Sequence, residues 1–574
     1  MANHALSATR SLSEIYRFFL VILRPERSFY WLAIVYGIGI SLLSLATPVS
    51  VQMLINTVAN IGLTTPLIVL SLTLFGLLVA AGLLQALRIH LMDLFARRFY
   101  ARMVSEIALR SVYAVNPFFE DTGKGALFNR YFDLVIVQKR LPVLFVGGFA
   151  VVLQTVVGFA LVSFYHPYLF IFNVFVILLV WLVWAVWGKG AIRSALEVSH
   201  NKHATAAWLE GLGASNGFFK TEKHIDQALA STEAYTSAYI QAHRQHFRYT
   251  FSQTLAFLLI WATASALLLG LGGWLVIQGQ LSLGQLVAAE LVLSVVFLGI
   301  SQLGVYLTYF YDLCAAIEEI SLFYDVEQDP PREARHFSPA DSTLRFADVL
   351  GEARGVRMSL DFEIPAGSWV LASSFDHAEQ RMMTNFLKGH EKPESGYIAL
   401  GGEDIRGHML HEVRQHIIVI DRQNVMQTTV RDYLVSSAPD AERRLLEALE
   451  EVGLEPVIRG LRDGLDTPIA ESGWPLTMTE TMQLKLAAAL LARPEVLVLS
   501  EIYDAVPKRF LEAALGRLRE QKVTIIYFSA RGDDLSFDRY LYLGEAQQTL
   551  YDSYPAYQAA VDREEQRLAA AEGR

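Results

Sequence analysis

One carboxylate lies in a segment of the chain where a charge is costly. Glu290 interrupts an apolar run between residues 249 and 311. A charge near the middle of a membrane costs about 2.5 kcal/mol or more, so such groups usually face a cavity or a partner. Counted from Leu281, Glu290 lies about 13 Å into the last apolar segment. Two interpretations remain open: a cavity residue for a cationic substrate or proton, and a carboxylate that reaches the outer interface.

The composition excludes several other kinds of site. Cys314 is the one cysteine, which excludes an internal disulfide and a thiolate zinc site. We also predict no metal centre of another kind. A net charge of −10 gives no basic signature for a nucleic-acid partner. The mean hydropathy of +0.32 is too high for an ordinary soluble enzyme, and we predict that the lipid bilayer surrounds part of the chain.

Uncharged segments predict six membrane spans in the amino-terminal part, because a span must cross roughly 30 Å of hydrocarbon. The segments are 29–54, 61–87, 141–188 and 249–311, and the last two hold two spans each. Breaks are expected at His166-Pro167 and within residues 279–284. Nine Lys and Arg lie in residues 88–140 and seven in residues 189–248, whereas the short loops on the other side have none. The positive-inside rule predicts an inner-membrane protein with both termini and both long loops in the cytoplasm.

The two long loops have few helix breakers, so we expect the spans to continue as helices below the membrane and turn back. The first turn is predicted at Pro117 to Phe119 and the second near residues 211–216. Phe118 and Phe119 form an apolar pair at a helical tip. This pair either docks on another domain, as a coupling contact, or packs within its own loop.

The composition changes after residue 325. Residues 326–342 are polar and Pro-bearing, which predicts a linker between a membrane domain at 12–325 and a second domain at 343–555. In the second domain strand-like runs alternate with helical ones, which predicts an α/β fold with a largely parallel sheet. Residues 556–574 are predicted to form a tail.

Several segments resemble ABC exporters, in the family's order, over roughly residues 13–551. They are FFEDTGKGALFNRYFD at 118–133, GQLSLGQLVAA at 279–289, ESGYIALGGEDIRG at 394–407, and the segment 460–506, which resembles the signature and Walker B region. The resemblance implies an α-helical six-span domain fused to a cytoplasmic P-loop-NTPase-like α/β domain (an ABC cassette). A half-transporter of this kind works as a homodimer or as a heterodimer with another half-transporter.

The resemblance also implies where ATP would bind. The phosphate cradle G-x-x-x-x-G-K-[ST] needs glycines for close backbone approach, a Lys for charge and a hydroxyl for Mg²⁺. Ser374 and Glu379 stand at its two glycines, and His377 stands between them. Gln380 replaces the Lys and Arg381 replaces the hydroxyl residue. Each spaced requirement of the cradle is therefore missing.

The other motifs of the family are also altered. Four residues stand at the Mg²⁺-linked Asp, the general base, the Q-loop Gln and the switch His, and they are Ser500, Glu501, Arg422 and Ala530. The signature LSGGQ reads LTMTE, and its changed positions are Thr477, Met478, Thr479 and Glu480. Glu501 keeps the identity of the base, which has no placed phosphate to act on.

We therefore expect a half-transporter whose cassette cannot bind or hydrolyse ATP productively by itself. No cofactor is expected, and Mg²⁺ and ATP would bind only if the altered site retains affinity. Two alternatives remain: a non-transporting membrane scaffold or regulator that uses the cassette for docking, and an ATP-driven exporter with divergent motifs.

Overall fold

A computed structural model of the chain describes residues 11–60, 64–115, 124–329, 336–353, 355–532, 535–544 and 548–572. The chain divides into two compact units between Gln328 and Asp329. The boundary falls within the predicted linker, residues 326–342. Each unit has its own hydrophobic core.

The first unit is helical, and six of its helical segments are long and apolar enough to cross a membrane. The six-span prediction is confirmed. The helices are α1 (Leu12–Leu23), α2 (Arg27–Ser44), α3 (Ala46–Asn60), α4 (Thr64–Val112), α5 (Tyr131–Val143), α6 (Phe149–Ser163), α7 (Pro167–Ala214), α8 (Glu222–Ile277) and α9 (Leu283–Ser321). The first and third segments combine consecutive helices, and a π-helical turn at Leu144–Gly148 joins α5 to α6.

Local capping explains the two predicted breaks between spans. His166 is the N-cap of α7, its ring accepts a hydrogen bond from the Tyr168 N–H, and Pro167 occupies the first helical position. At the second break Ser282 and Gln285 form a capping box that starts α9. Both breaks are therefore helix boundaries encoded in the local sequence.

The helices continue beyond the length that a membrane requires, as predicted. α7 has 48 residues and α8 has 56, against about 20 for a span. They are joined at residues 215–221, next to the predicted turn. Phe118 and Phe119, the predicted coupling pair, lie outside the described residues, so their docking role remains a prediction.

The second unit has the predicted α/β fold. Its strands are β1 (Leu344–Ala353), β2 (Val356–Ile364), β3 (Trp369–Ser374), β4 (Ser395–Leu400), β5 (Glu403–Asp404), β6 (Ile417–Ile420), β7 (Thr428–Thr429), β8 (Pro468–Ile469), β9 (Val496–Leu499), β10 (Thr524–Phe528), β11 (Arg539–Leu543) and β12 (Gln548–Tyr551). Its helices are α10 (His377–Lys388), α11 (Leu410–His416), α12 (Val430–Val435), α13 (Ala441–Glu451), α14 (Glu455–Gly460), α15 (Met478–Ala492), α16 (Lys508–Glu520) and α17 (Tyr554–Glu572).

The main sheet has the order β12-β11-β3-β10-β9-β6, and every neighbouring pair except β11 and β12 is parallel. The carboxyl ends of β3, β10, β9 and β6 therefore meet at one edge, which is where parallel α/β sheets place their sites. The second sheet, β2-β1-β4-β5, is antiparallel.

The predicted boundary at residue 555 falls inside α17. Tyr557 of this helix is buried, its ring lies 5.7 Å from that of Tyr540, and its hydroxyl donates to Ser373 Oγ at 2.6 Å. The helix therefore packs on the main sheet beside the end of β3.

Candidate nucleotide site

The first element of the candidate site is the connection from β3 to α10. Only Phe375 and Asp376 separate Ser374, the last residue of β3, from His377, the first residue of α10. The segment equivalent to the phosphate cradle therefore contains a two-residue connection followed by the first turn of a helix. Positions 379–381, which would supply the Gly, Lys and hydroxyl, are helical.

The chain's own carboxylates cap the start of α10. Asp376 Oδ1 accepts the Ala378 N–H at 3.2 Å, and Glu379 Oε2 accepts the Asp376 N–H at 3.1 Å. The two residues form a capping box. A helix N-terminus offers N–H groups and a positive partial charge to anions. Here side-chain carboxylates of the same chain occupy that position.

The residues that follow Asp376 differ in exposure. Glu379 and Gln380 are buried, whereas His377 and Arg381 are exposed. The side-chain oxygen of Gln380 is buried and has no hydrogen-bond partner within the described ranges. A buried neutral amide thus stands where the resemblance implies the lysine ammonium.

The magnesium-ligand position lies after β9. Ser500 is 8% exposed, and its backbone N–H donates to the Ile420 carbonyl at 3.2 Å. Its Oγ is buried and has no partner in the part of the chain that the structure describes. Glu501, the residue at the base position, is half-buried and begins a 3₁₀ turn, Glu501–Ala505. The sheet order brings Ser500 to the same edge as Ser374.

The signature residues begin α15 and repeat the arrangement seen at α10. Thr477 is the N-cap, its Oγ accepts the Glu480 N–H at 3.3 Å, and Glu480 Oε2 accepts the Thr477 N–H at 2.7 Å. Met478 is 46% exposed and its sulfur lies 3.4 Å from Gln423 Nε2. The signature segment therefore lies beside the loop that follows β6, and Thr479 is the second residue of its helix.

A lysine ties α15 to the same loop. Lys485 Nζ donates to the carbonyl oxygens of Arg422 at 2.6 Å and Asn424 at 2.9 Å. Burial lowers the pKa of this ammonium to about 8. Arg422, at the Q-loop position, thus contributes its backbone to a contact between the loop and the signature helix.

The switch position is part of a network that the sequence did not indicate. Asp504 accepts hydrogen bonds from the Tyr527 hydroxyl, from Ser529 Oγ at 2.7 Å and from the Ala530 N–H at 3.0 Å. Arg531 donates to the Asp504 and Val506 carbonyls. Ala530 therefore contributes an N–H rather than a side chain, and the network joins the segments that follow β9 and β10.

No local pattern identifies this network, because its members are far apart in sequence. The three residues that donate hydrogen bonds to the Asp504 carboxylate lie 23 to 26 residues after it in the sequence. Burial, and then the Asp504 carboxylate, raise the pKa of the Tyr527 hydroxyl, which stays a donor. Only the sheet order, which makes β9 and β10 neighbours, brings these residues together.

The carboxylate predicted within the membrane is the eighth residue of α9, about 10 Å from the helix start. Glu290 is half-buried, and its Oε2 is buried without a partner among the described residues. Arg88, which the sequence interpretation assigned to the first long loop, is another buried charged residue of the first unit. Arg88 is 2% exposed and donates to Gln85 Oε1 at 2.6 Å and to the Val146 carbonyl at 2.9 Å.

Two family models match the chain. The model for the ABC transporter transmembrane region matches residues 30–206, and the ABC transporter model matches residues 382–503. The second range begins directly after Arg381, so it excludes the segment 374–381 and includes Ser500 and Glu501.

Relatives with curated descriptions match parts or most of the chain. An uncharacterised ABC transporter ATP-binding protein of Bacillus subtilis is 25% identical over 266 residues, which are 44% of this chain and 46% of that protein. An ATP-dependent lipid A-core flippase of Ralstonia nicotianae is 27% identical over 223 residues, 37% of this chain and 38% of the flippase. The ABC multidrug transporter mdr2 of Aspergillus fumigatus is 22% identical over 545 residues, 90% of this chain and 68% of that protein. The chain thus spans less than half the length of the two bacterial relatives.

A solved structure, that of a bacterial Atm1-family ABC exporter with ATP bound, is similar over 95% of this chain and 97% of its own, with a TM-score of 0.76 and 16% sequence identity. At that identity the similarity establishes the fold. The chain therefore has the domain composition and the fold of an ABC exporter half-transporter: an ABC transporter transmembrane region fused, in one polypeptide, to an ABC transporter nucleotide-binding domain.

Proposed function

We propose that this chain is one half of a dimeric ABC exporter whose own cassette does not bind or hydrolyse Mg·ATP productively. The dimer lies in the inner membrane with both termini in the cytoplasm. The pairing supplies a second set of six spans, and the excess of Lys and Arg in the two long loops supports the orientation. The capped start of α10 is the observation that carries the proposal for the cassette.

The first argument concerns the donors at the start of α10. In an ATP-binding cassette, backbone N–H groups at this place receive the phosphates. Here the Asp376 side chain accepts the Ala378 N–H. The Asp376 backbone carbonyl accepts the Glu379 N–H at 3.2 Å. A phosphate would have to displace these contacts before it could bind.

The second argument is electrostatic. Asp376 and Glu379 stand at positions of the cradle that the resemblance implies, so their carboxylates would lie close to bound phosphates. Two like charges 4 Å apart repel by about 4 kcal/mol at an effective dielectric constant of about 20. That energy corresponds to roughly a thousandfold loss of affinity. The exposed Arg381 offsets part of this repulsion, so we expect a large reduction of affinity rather than that full factor.

The third argument concerns the dimer. In the family, each ATP site combines the cradle of one chain with the signature of the other. At the start of α15, the Glu480 carboxylate accepts a hydrogen bond from the Thr477 N–H. A homodimer would therefore have two impaired sites. A heterodimer with an intact partner would have one site without this chain's cradle and one without its signature.

Equilibrium binding of radiolabelled Mg·ATP to the full chain in nanodiscs tests the proposal. We expect no saturation below millimolar nucleotide, and an ATPase rate equal to the background. The double substitution Asp376→Asn with Glu379→Gln should strengthen binding at least tenfold, because it removes both charges and keeps the side-chain volumes. The control Glu363→Gln changes an exposed carboxylate on β2 and should have no effect. A micromolar dissociation constant for the unmodified chain would contradict the proposal.

The dimer is tested separately by native mass spectrometry of the chain extracted in mild detergent. We expect two copies, or one copy with a second half-transporter. Recovery with an unrelated complex in place of either would favour the scaffold or regulator alternative. A high ATPase rate in the purified dimer would favour the divergent active exporter.

A further inference from the structure

A buried polar cluster lies between α7 and α9, away from the nucleotide site. His200 of α7 places its Nε2 atom 3.0 Å from Glu318 Oε2 and 3.9 Å from Glu319 Oε1 of α9. The ligand-type atoms of these three residues all lie within 4.8 Å of one another. Arg130 approaches from the other side, with its Nε 2.6 Å from Glu319 Oε2.

One buried carboxylate oxygen of this cluster has no hydrogen-bond donor among the described residues. Glu319 is 0% exposed, and its Oε1 has no hydrogen-bond partner among the described residues. Its other oxygen is held by Arg130, which fixes the direction of the free oxygen toward His200. A buried carboxylate oxygen that lacks a donor is costly, because water no longer solvates it. A cation between this oxygen and His200 would satisfy it.

The charge of the cluster also calls for a cation. Glu318 is 1% exposed, so both carboxylates are removed from water. With His200 neutral, the two carboxylates and Arg130 sum to −1. One proton on the imidazole brings the sum to zero. A divalent metal ion with a bound hydroxide also brings it to zero, and it would contact all three ligand atoms at once.

We propose that His200, Glu318 and Glu319 form a binding site for one divalent transition-metal ion of the zinc class. Zinc binds imidazole nitrogen and carboxylate oxygen at about 2.0–2.2 Å, and sites with three protein ligands keep a fourth position open for water. Imidazole disfavours Ca²⁺ and Mg²⁺, which take oxygen ligands. Arg130 acts as the outer partner that orients Glu319, an arrangement that commonly supports metal ligands.

The site lies beyond the membrane hydrocarbon along α7, and the His200 side chain is 21% exposed. His200 lies 33 residues after the first residue of α7, or about 50 Å along the helix. That exceeds the roughly 30 Å of membrane hydrocarbon. The bound ion would connect α7 to α9 in their extramembrane parts, through residues 118 positions apart. A ligand set assembled over that separation leaves no spacing motif in the sequence.

Titration of the chelator-treated full chain in detergent with Co²⁺ tests the site, because cobalt in a nitrogen–oxygen site of low coordination number absorbs visible light. We expect one ion per chain, displacement by Zn²⁺, and a higher unfolding temperature with Zn²⁺ present. His200→Gln and Glu319→Gln should each weaken binding at least tenfold. The affinity should also fall as the pH drops, because protons compete with the metal ion for the imidazole nitrogen and the carboxylate oxygens.

Two controls separate this site from others. His243→Gln removes an exposed histidine of α8 and should leave the titration unchanged. His203→Gln changes the next pair along α7, in which His203 contacts Asp133, and should also retain binding. The proposal is wrong if the unmodified chain binds no stoichiometric ion, or if His203→Gln abolishes binding while His200→Gln does not. If His200→Gln fails to fold, as judged by gel filtration, the titration of Glu319→Gln decides.

Discussion

Asp504 should contribute more to the stability of the second unit than any exposed carboxylate there. Its side chain accepts bonds from Tyr527, Ser529 and the Ala530 N–H, and it is 22% exposed. Replacement by alanine removes all three acceptor contacts at once. The Tyr527 ring is fully buried, so its hydroxyl has limited access to water as a substitute partner.

The magnitude follows from the kind of bond that is lost. A hydrogen bond to a charged group contributes about 1.5–3 kcal/mol. Three of them are not additive, and water can reach the partly exposed carboxylate position, so we expect Asp504→Ala to cost about 3 kcal/mol. Asp504→Asn retains an oxygen acceptor but turns an N–H toward the Ala530 N–H, and it should cost about half as much. The control Asp361→Ala removes an exposed ion pair with Arg345 and should cost below about 1 kcal/mol.

Hydrogen exchange of the full chain in detergent measures this loss directly, in peptides that cover residues 524–531. A destabilisation of about 3 kcal/mol corresponds to roughly a hundredfold faster exchange of amides that open with the network. The unfolding temperature should be lowest for Asp504→Ala, intermediate for Asp504→Asn and highest for the wild type. Exchange of Asp504→Ala within threefold of the wild type would refute the assigned role.

Three further predictions concern titratable groups. In the cavity interpretation, Glu290→Cys should react with a membrane-impermeant maleimide much more slowly than Gln280→Cys in the outer loop, and equal rates would contradict it. Burial and neighbouring cations lower the pKa of His390 to about 4, so the wild type should lose stability as the pH falls from about 6.5 to 4. His390→Gln should flatten that part of a plot of unfolding temperature against pH. Because burial lowers the pKa of Lys485 to about 8, the wild type should gain stability relative to Lys485→Met as the pH rises above 8, and parallel curves would argue against it.

The architecture was largely predictable because its determinants are local. Uncharged segments long enough to cross hydrocarbon located the six spans, and His166 and Ser282 start the helices at the predicted breaks. The strand-like runs of the second domain include residues 368–373, 416–420, 496–500 and 524–529, which correspond to β3, β6, β9 and β10. The start of α17 was not predicted, because Tyr557 owes its burial to Tyr540 and Ser373, which are distant in sequence.

Part of the candidate site was likewise predictable from the local sequence, and part was not. The altered motif residues could be located by their order, and the sheet places Ser374, Ser500 and Ala530 at one edge. Their contacts could not be anticipated. The Asp504 network and the Lys485 contact depend on which strands and loops are neighbours, and spacing along the chain does not report this.

The two altered phosphate-binding segments share one physical feature. At α10 the sequence D-x-x-E, and at α15 the sequence T-x-x-E, places a carboxylate at the third helical position, where it accepts the backbone N–H of the N-cap residue. A capping residue stabilises a helix by about 1 kcal/mol. Substitutions that merely removed phosphate ligands would leave helix starts with unsatisfied donors. Here the capping side chains satisfy two backbone N–H donors at each helix start, so the local sequence agrees with a stable helix start in the absence of nucleotide. This agreement predicts that Glu379→Ala and Glu480→Ala each lower the unfolding temperature measured without ATP.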